Sequence, residues 1–167
     1  MSTDPRSPAQ RRRDTEQRLT HDIDLWVASA SADGGPYLVP LSFDWDGEAV
    51  LVATPAKSPT GRNLAATQTA RLGLGHTRDV SMIEGDVEIL EIDALPQERG
   101  DRFATRAGFD PRAQDTPYRW FRISPRRIQA WREVNELPDR ELMRDGRWLA
   151  DARRTPRTNP PTTMETR

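Results

Sequence analysis

Residues 54–63 concentrate groups that could hold a phosphate. The hydroxyls of Thr54, Ser58 and Thr60 and the cations Lys57 and Arg62 fall within one short polar run. The apolar residues Val50-Leu51-Val52-Ala53 precede it, and a helical stretch around residues 64–69 follows. A loop that leaves a strand and opens a helix meets that helix's free amides and positive dipole end, both favourable to an anion. Lysine would act there as a mobile point charge, and Arg62 as a planar fork of donors. Each charge-assisted hydrogen bond of this kind contributes about 1.5–3 kcal/mol. The same residues also make an ordinary Ser/Thr/Pro loop capping a helix, and residue types alone leave both readings open.

Other chemistries find no support. Gly73 and Gly75 begin a dinucleotide fingerprint, but Arg78 stands where its third glycine belongs, and no phosphate-binding GxxxxGK[ST] run exists. That glycine pair reads instead as a strand packed tightly against another backbone. The two histidines, His21 and His76, are too few for a three-ligand zinc site without carboxylate help. A hydrolytic triad drawn from His76, Ser81 and Asp79 lacks the strained turn its nucleophile needs. Glu84, Asp86, Glu88 and Glu91 nearly alternate, which is the pattern of a strand's solvated face rather than of a cation site.

The elements that must position the polar loop read mostly as strands. Residues 25–30 are short and apolar, and Asp33-Gly34-Gly35-Pro36 signals a turn. Residues 37–43 resume in strand-like alternation, Asp46-Gly47 is a favoured hairpin pair, and the strand from Val50 follows directly. Beyond the loop we expect strands over residues 70–76 and 80–92, the second bent or bulged at Gly85. A helix over 95–107 uses Leu95, Phe103 and Ala107 as its apolar positions, and a strand spans 118–131. A last hairpin turns at Asp145-Gly146. Hairpin-linked strands with two or three short helices predict a mainly β fold, a closed or half-open antiparallel barrel.

Composition narrows the function further. The chain has 167 residues, no cysteine and 25 basic side chains, all but Lys57 being arginine. Its length suits one domain. Disulfides, thiolate metal sites and cysteine nucleophiles are excluded. No apolar run spans a bilayer, and the N-terminal residues lack the apolar stretch of a signal peptide, so no membrane role and a cytoplasmic location are expected. Polar, net-positive ends flank an acidic middle. We therefore expect a flexible segment over 1–18, a domain over 19–150 and a disordered tail over 151–167. Arg11-Arg12-Arg13 reads as a solvated tail, so no nucleic-acid partner is expected.

The order of these pieces resembles a known family. Trp26-Val27-Ala28-Ser29-Ala30, Asp33-Gly34-Gly35-Pro36, Pro40-Leu41-Ser42-Phe43 and Asp46-Gly47 are followed by Lys57-Ser58, Arg62-Asn63-Leu64, Ala70-Arg71-Leu72-Gly73-Leu74 and Ile83-Glu84-Gly85-Asp86-Val87. The run is similar to the pyridoxamine 5′-phosphate oxidase-like split barrels, which bind flavin or deazaflavin, over residues 22–133. The resemblance implies a six-stranded Greek-key split barrel forming a homodimer, with cofactor clefts along the interface. It implies that Lys57, Ser58 and Arg62 hold the cofactor phosphate with Asn63 and Thr54 in support. Val39, Pro40, Leu41 and Ser42 would lie along the ring, and Trp120 or Trp131 could reach a site from the partner. The implied cofactor is coenzyme F420 or FMN. The implied function is an oxidoreductase acting on a small unsaturated or quinone-like molecule; the alternative is a non-catalytic flavin or tetrapyrrole (haem) carrier. The arginine-rich substrate motif of the true oxidases is matched only loosely by Asp139-Arg140 and by Trp148 with Arg153-Arg154-Thr155-Pro156, so that vitamin substrate is not expected. A reactive ring would supply the chemistry itself, which agrees with the lack of an acid–base pair in the sequence.

Overall fold

The computed structural model describes residues 4–149, so the expected tail over 151–167 lies outside the described residues. A helix, α1 (Pro8–His21), comes first, and eight strands and two more helices follow: β1 (Asp24–Ala30), β2 (Pro36–Trp45), β3 (Val50–Pro55), α2 (Pro59–Thr67), β4 (Thr69–His76), β5 (Asp79–Glu91), α3 (Gln97–Ala107), β6 (Tyr118–Trp131), β7 (Glu141–Arg144) and β8 (Arg147–Trp148). The strand order is β3-β2-β1-β4-β5-β6, and antiparallel pairing of β3 with β6 closes these six into a barrel. The β7–β8 hairpin extends the sheet from the far end of β6.

Local chemistry explains most of these elements. At the β2–β3 turn, the Asp46 carboxylate accepts from the amides of Glu48 and Ala49, and Gly47 takes the left-handed conformation. β5 and β6 are long because Gly85 absorbs a register shift between Glu84 and Gly85. A Cβ there would stand 2.6 Å from Ile123 Cγ2 and 2.9 Å from the Ser124 carbonyl. The carboxylates along β5 are solvated and pair across the sheet, Glu84 with Arg71, Asp86 with Arg126 and Glu91 with Arg119. Among the described residues no carboxylate or histidine group is arranged to hold a metal ion.

Two cores result from strand alternation. Val50 and Val52 point into the barrel with Val27, Leu72, Ile83, Phe121 and Ile123. Leu51 and Ala53 point outward and are covered by α3 through Phe103, together with Trp120. Trp120 is fully buried there. Its ring lies edge-on to Phe103 at 5.0 Å, and its indole donates to the Ile92 carbonyl at 2.9 Å. It therefore cannot reach a site on another chain.

Residues 8–18 depart from the expected flexible segment. They belong to α1, which packs across the barrel with Leu19 fully buried. Ser7 caps the helix and Pro8 starts it. Arg11 is no solvated charge: its guanidinium donates to the carbonyls of Ala130 and Glu136 at 3.2 and 3.1 Å. Thr15 hydrogen-bonds Ser81 at 2.8 Å, which uses the hydroxyl once drawn into a triad. Arg6 reaches Glu136, Asp14 and Asp79. Docking by hydrogen-bonded polar groups replaces the apolar stripe that a sequence search looks for.

Candidate functional site

Strand β2 is paired on only one side along most of its length. It meets β1 from Pro36 to Ser42, but β3 only at Phe43, Asp44 and Trp45. Over residues 36–42 its second edge, the one toward β3, carries main-chain donors and acceptors that no strand among the described residues takes up. The separation of β2 from β3 opens a cleft of about 320 Å³. Pro40, Leu41 and Ser42 form one wall, and Ala53, Thr54 and Pro55 the other.

Two aromatic rings finish the cleft at the rim of the second core. Phe109 follows the left-handed Gly108 that ends α3, and Tyr118 begins β6. Their rings are 5.6 Å apart and tilted. Asp24, the first residue of β1, lies opposite Ser42 and accepts its hydroxyl proton at 2.6 Å. Asp24, Phe109 and Tyr118 were not singled out by sequence reasoning. The β1–β2 register and the β3–β6 closure bring them together, and neither is a local signal.

The polar loop adjoins this cleft through Thr54, whose hydroxyl is 3.2 Å from that of Ser58. Ser58 Oγ donates to the Pro55 carbonyl at 2.8 Å and accepts from the Gly61 amide at 3.0 Å, capping α2. Because Ser58 has one proton and two lone pairs, Thr54 must donate to it, and Ser58 is then saturated. It organises the loop and has no proton free for a phosphate oxygen. The helix thus starts at Pro59, within what the sequence presented as loop, because a Ser-Pro pair supplies both the cap and the first helical residue. Gly61 is required there: a Cβ would lie 2.4 Å from the Pro55 carbonyl oxygen.

The remaining expected residues divide by exposure. Lys57 and Arg62 project into solvent with no ion-pair partner among the described residues. In an arginine-rich protein with many paired carboxylates, two unpaired cations beside a helix start are well suited to an anionic ligand. Thr60 is only 2 % exposed, and its hydroxyl has no hydrogen-bond partner. Asn63 is buried and donates to Ser29 Oγ at 3.2 Å, tying α2 to β1. The Val39 side chain packs against the barrel core rather than lining the cleft. The donor set and shape fit a flat ring carrying a phosphate: an unpaired strand edge, aliphatic and aromatic walls, two unpaired cations and a buried hydroxyl without a partner.

Groups driven from their ordinary pKa lie elsewhere. Hydrogen bonds from Arg6 hold the Glu136 carboxyl at about 2, against the opposing effect of burial. Asp79 is held low by Arg18 and Arg132, although burial pushes the other way. Both belong to the contacts that seat α1. His21 bonds the Gln17 carbonyl on α1 and His76 ends β4; neither lines the cleft. No helix among the described residues is long and apolar enough to cross a membrane.

Comparison with known proteins agrees with this geometry. The sequence profile of the pyridoxamine 5′-phosphate oxidase family matches residues 16–132. Similar solved structures include an F420 reductase at 20 % identity and TM-score 0.56, covering 68 % of this chain and 94 % of that one. The haem-storage protein HutZ of Vibrio cholerae matches at 15 % identity and TM-score 0.57, covering 71 % and 92 %. General stress protein 26 of Bacillus anthracis matches at 18 % identity and TM-score 0.52, covering 73 % and 93 %. At these identities the likeness is one of fold. No curated protein matches the sequence.

Proposed function

Because the chain belongs to the pyridoxamine 5′-phosphate oxidase family, we propose that the cleft between β2 and β3 binds FMN or coenzyme F420 and that the protein is an oxidoreductase. Its substrate would be a small unsaturated or quinone-like molecule. The observation that carries this reading is the continuity of two complementary surfaces. A cleft with an unpaired strand edge adjoins a loop and helix start that bear two cations unpaired among the described residues, the two joined by the Thr54–Ser58 hydrogen bond. When bound, such a ring supplies hydride or electron transfer. Lys57 and Arg62 attract and orient the phosphate, with Thr60 supplying a buried hydroxyl. Ser58 and Asn63 hold the helix start rigid behind them. Free main-chain groups of residues 39–42 meet the polar edge of the ring, and Leu41, Phe109 and Tyr118 exclude water from its faces.

The F420 reductase among the similar structures supports the deazaflavin version. The haem-storage relative suggests the carrier alternative, but both described histidines lie away from the cleft, which favours the flavin-type reading. The same proposal includes a homodimer acting in the cytoplasm. Trp26 and Leu38, 51 % and 58 % exposed, form with Gly73 and Met82 a concave apolar face suited to a second copy.

Visible spectra of the purified protein titrated with FMN, F420 and haem test the reading. A saturable change is expected with FMN or F420, and Lys57→Ala should weaken that binding about 10–100-fold. No change with either, or equal affinity in the variant, would overturn it. Reduction of the bound cofactor by its partner dehydrogenase, followed by transfer to an acceptor, separates enzyme from carrier.

A further inference from the structure

Among the residues lining the cleft, only Asp24 bears a carboxylate. One of its oxygens takes the Ser42 proton, and its other oxygen has no partner among the described residues. No arginine among the described residues pairs with it, although arginines neutralise Asp44, Asp46, Asp79 and Asp86 elsewhere in the protein. The backbone leading to it is fixed. Arg106 donates to the carbonyls of Leu19, Thr20 and Asp22, and the Ile23 carbonyl accepts from Phe43 at 2.9 Å. The same Arg106 stands three residues before Phe109, another residue of the cleft lining. The Asp24 carboxylate, itself exposed to solvent, is thus positioned by the Ser42 hydroxyl on a fixed backbone and has no counter-ion among the described residues.

Flavins and deazaflavins share one edge, an imide N–H between two carbonyls. Ser42, whose proton goes to Asp24, has none left for those carbonyls, whereas Asp24 retains acceptor capacity for the N–H. We propose, on the cofactor reading above, that Asp24 accepts a hydrogen bond from the imide N–H of the bound ring and that its charge disfavours the reduced form. Hydride addition brings two electrons and one proton from the donor, so a neutral ring gains one negative charge. A nearby carboxylate opposes that gain and at the same time stabilises the un-ionised imide. Asp24 thus sets the cofactor's potential in addition to orienting it. The cleft's other titratable lining group is Tyr118.

The test measures binding of oxidised and reduced FMN and F420 to the wild type, Asp24→Asn and Asp24→Glu. Asp24→Asn should change oxidised affinity less than threefold and strengthen reduced binding about tenfold. That raises the midpoint potential by about 30 mV for a two-electron couple. In the same variant the spectral transition for imide ionisation should move to lower pH, and Asp24→Glu should restore both. Binding with unchanged potential and unchanged imide ionisation in Asp24→Asn would overturn the role of Asp24 alone. Failure of the wild type to bind either cofactor would remove the cofactor reading and this inference with it.

Discussion

Glu136 offers a sharp test of what seats α1 on the barrel. Its side chain is 3 % exposed and accepts from the Arg6 main chain at 2.9 Å, from the Arg6 guanidinium at 3.0 and 2.8 Å, and from the Arg132 amide at 2.8 Å. These donors hold the carboxyl at about 2 against an ordinary 4.5. At roughly 1.4 kcal/mol per pH unit, the carboxylate contributes on the order of 3 kcal/mol to stability. The folded pKa lies below the unfolded one, so this contribution is complete above pH 4.5 and is lost as pH falls toward 2. By pH 3 roughly 2 kcal/mol of it is gone. Glu136→Gln should therefore cost about 3 kcal/mol at pH 7 and about 1 kcal/mol at pH 3. Urea unfolding of both proteins at the two pH values measures this directly. An equal cost at pH 7 and pH 3 would refute the electrostatic account and leave only shape.

Three further substitutions probe other parts of the structure. Leu19→Ala, at a fully buried apolar position of α1, should destabilise the protein by about 3 kcal/mol in denaturant unfolding. Gly61→Ala forces the start of α2 away from the Pro55 carbonyl and should lower the melting temperature and weaken cofactor binding together. Ser58→Ala removes a helix cap and should cost about 1 kcal/mol. Because its proton is already committed, its effect on phosphate affinity, by equilibrium titration, should be smaller than that of Lys57→Ala.

The strands were legible because their signals are local. The Asp46-Gly47 turn, the Gly85 bulge and the limits of β6 each follow from a few adjacent residues. α1 was hidden because its apolar content is so low; it docks through Arg11 and Thr15, with Arg6 just before it, and their burial depends on partners far along the chain. Sequence also exposed part of the cleft, since Pro40, Leu41, Ser42 and Thr54 do line it. Asp24 and Tyr118 could not be found the same way, because only strand register and barrel closure bring them there. Trp120 was misleading for a related reason: the family resemblance suggested that it could reach a partner's site, but the alternation of β6 turns it under α3.

Strand β6 pairs with β5 along most of its length, with β3 over its first half and with β7 near its end. On a ribosome, β2 and β3 can meet early as a hairpin, but the strand that closes the ring is the last of the six to emerge. Until then β3 presents an open, hydrophobic edge, a recognised template for pairing with the wrong chain. The contacts between Arg6 and Glu136 span nearly the whole described sequence, so α1 cannot seat before that closure. Folding of this barrel is consequently a slow, non-local event completed after synthesis of β6, and the cleft comes into existence at that late step.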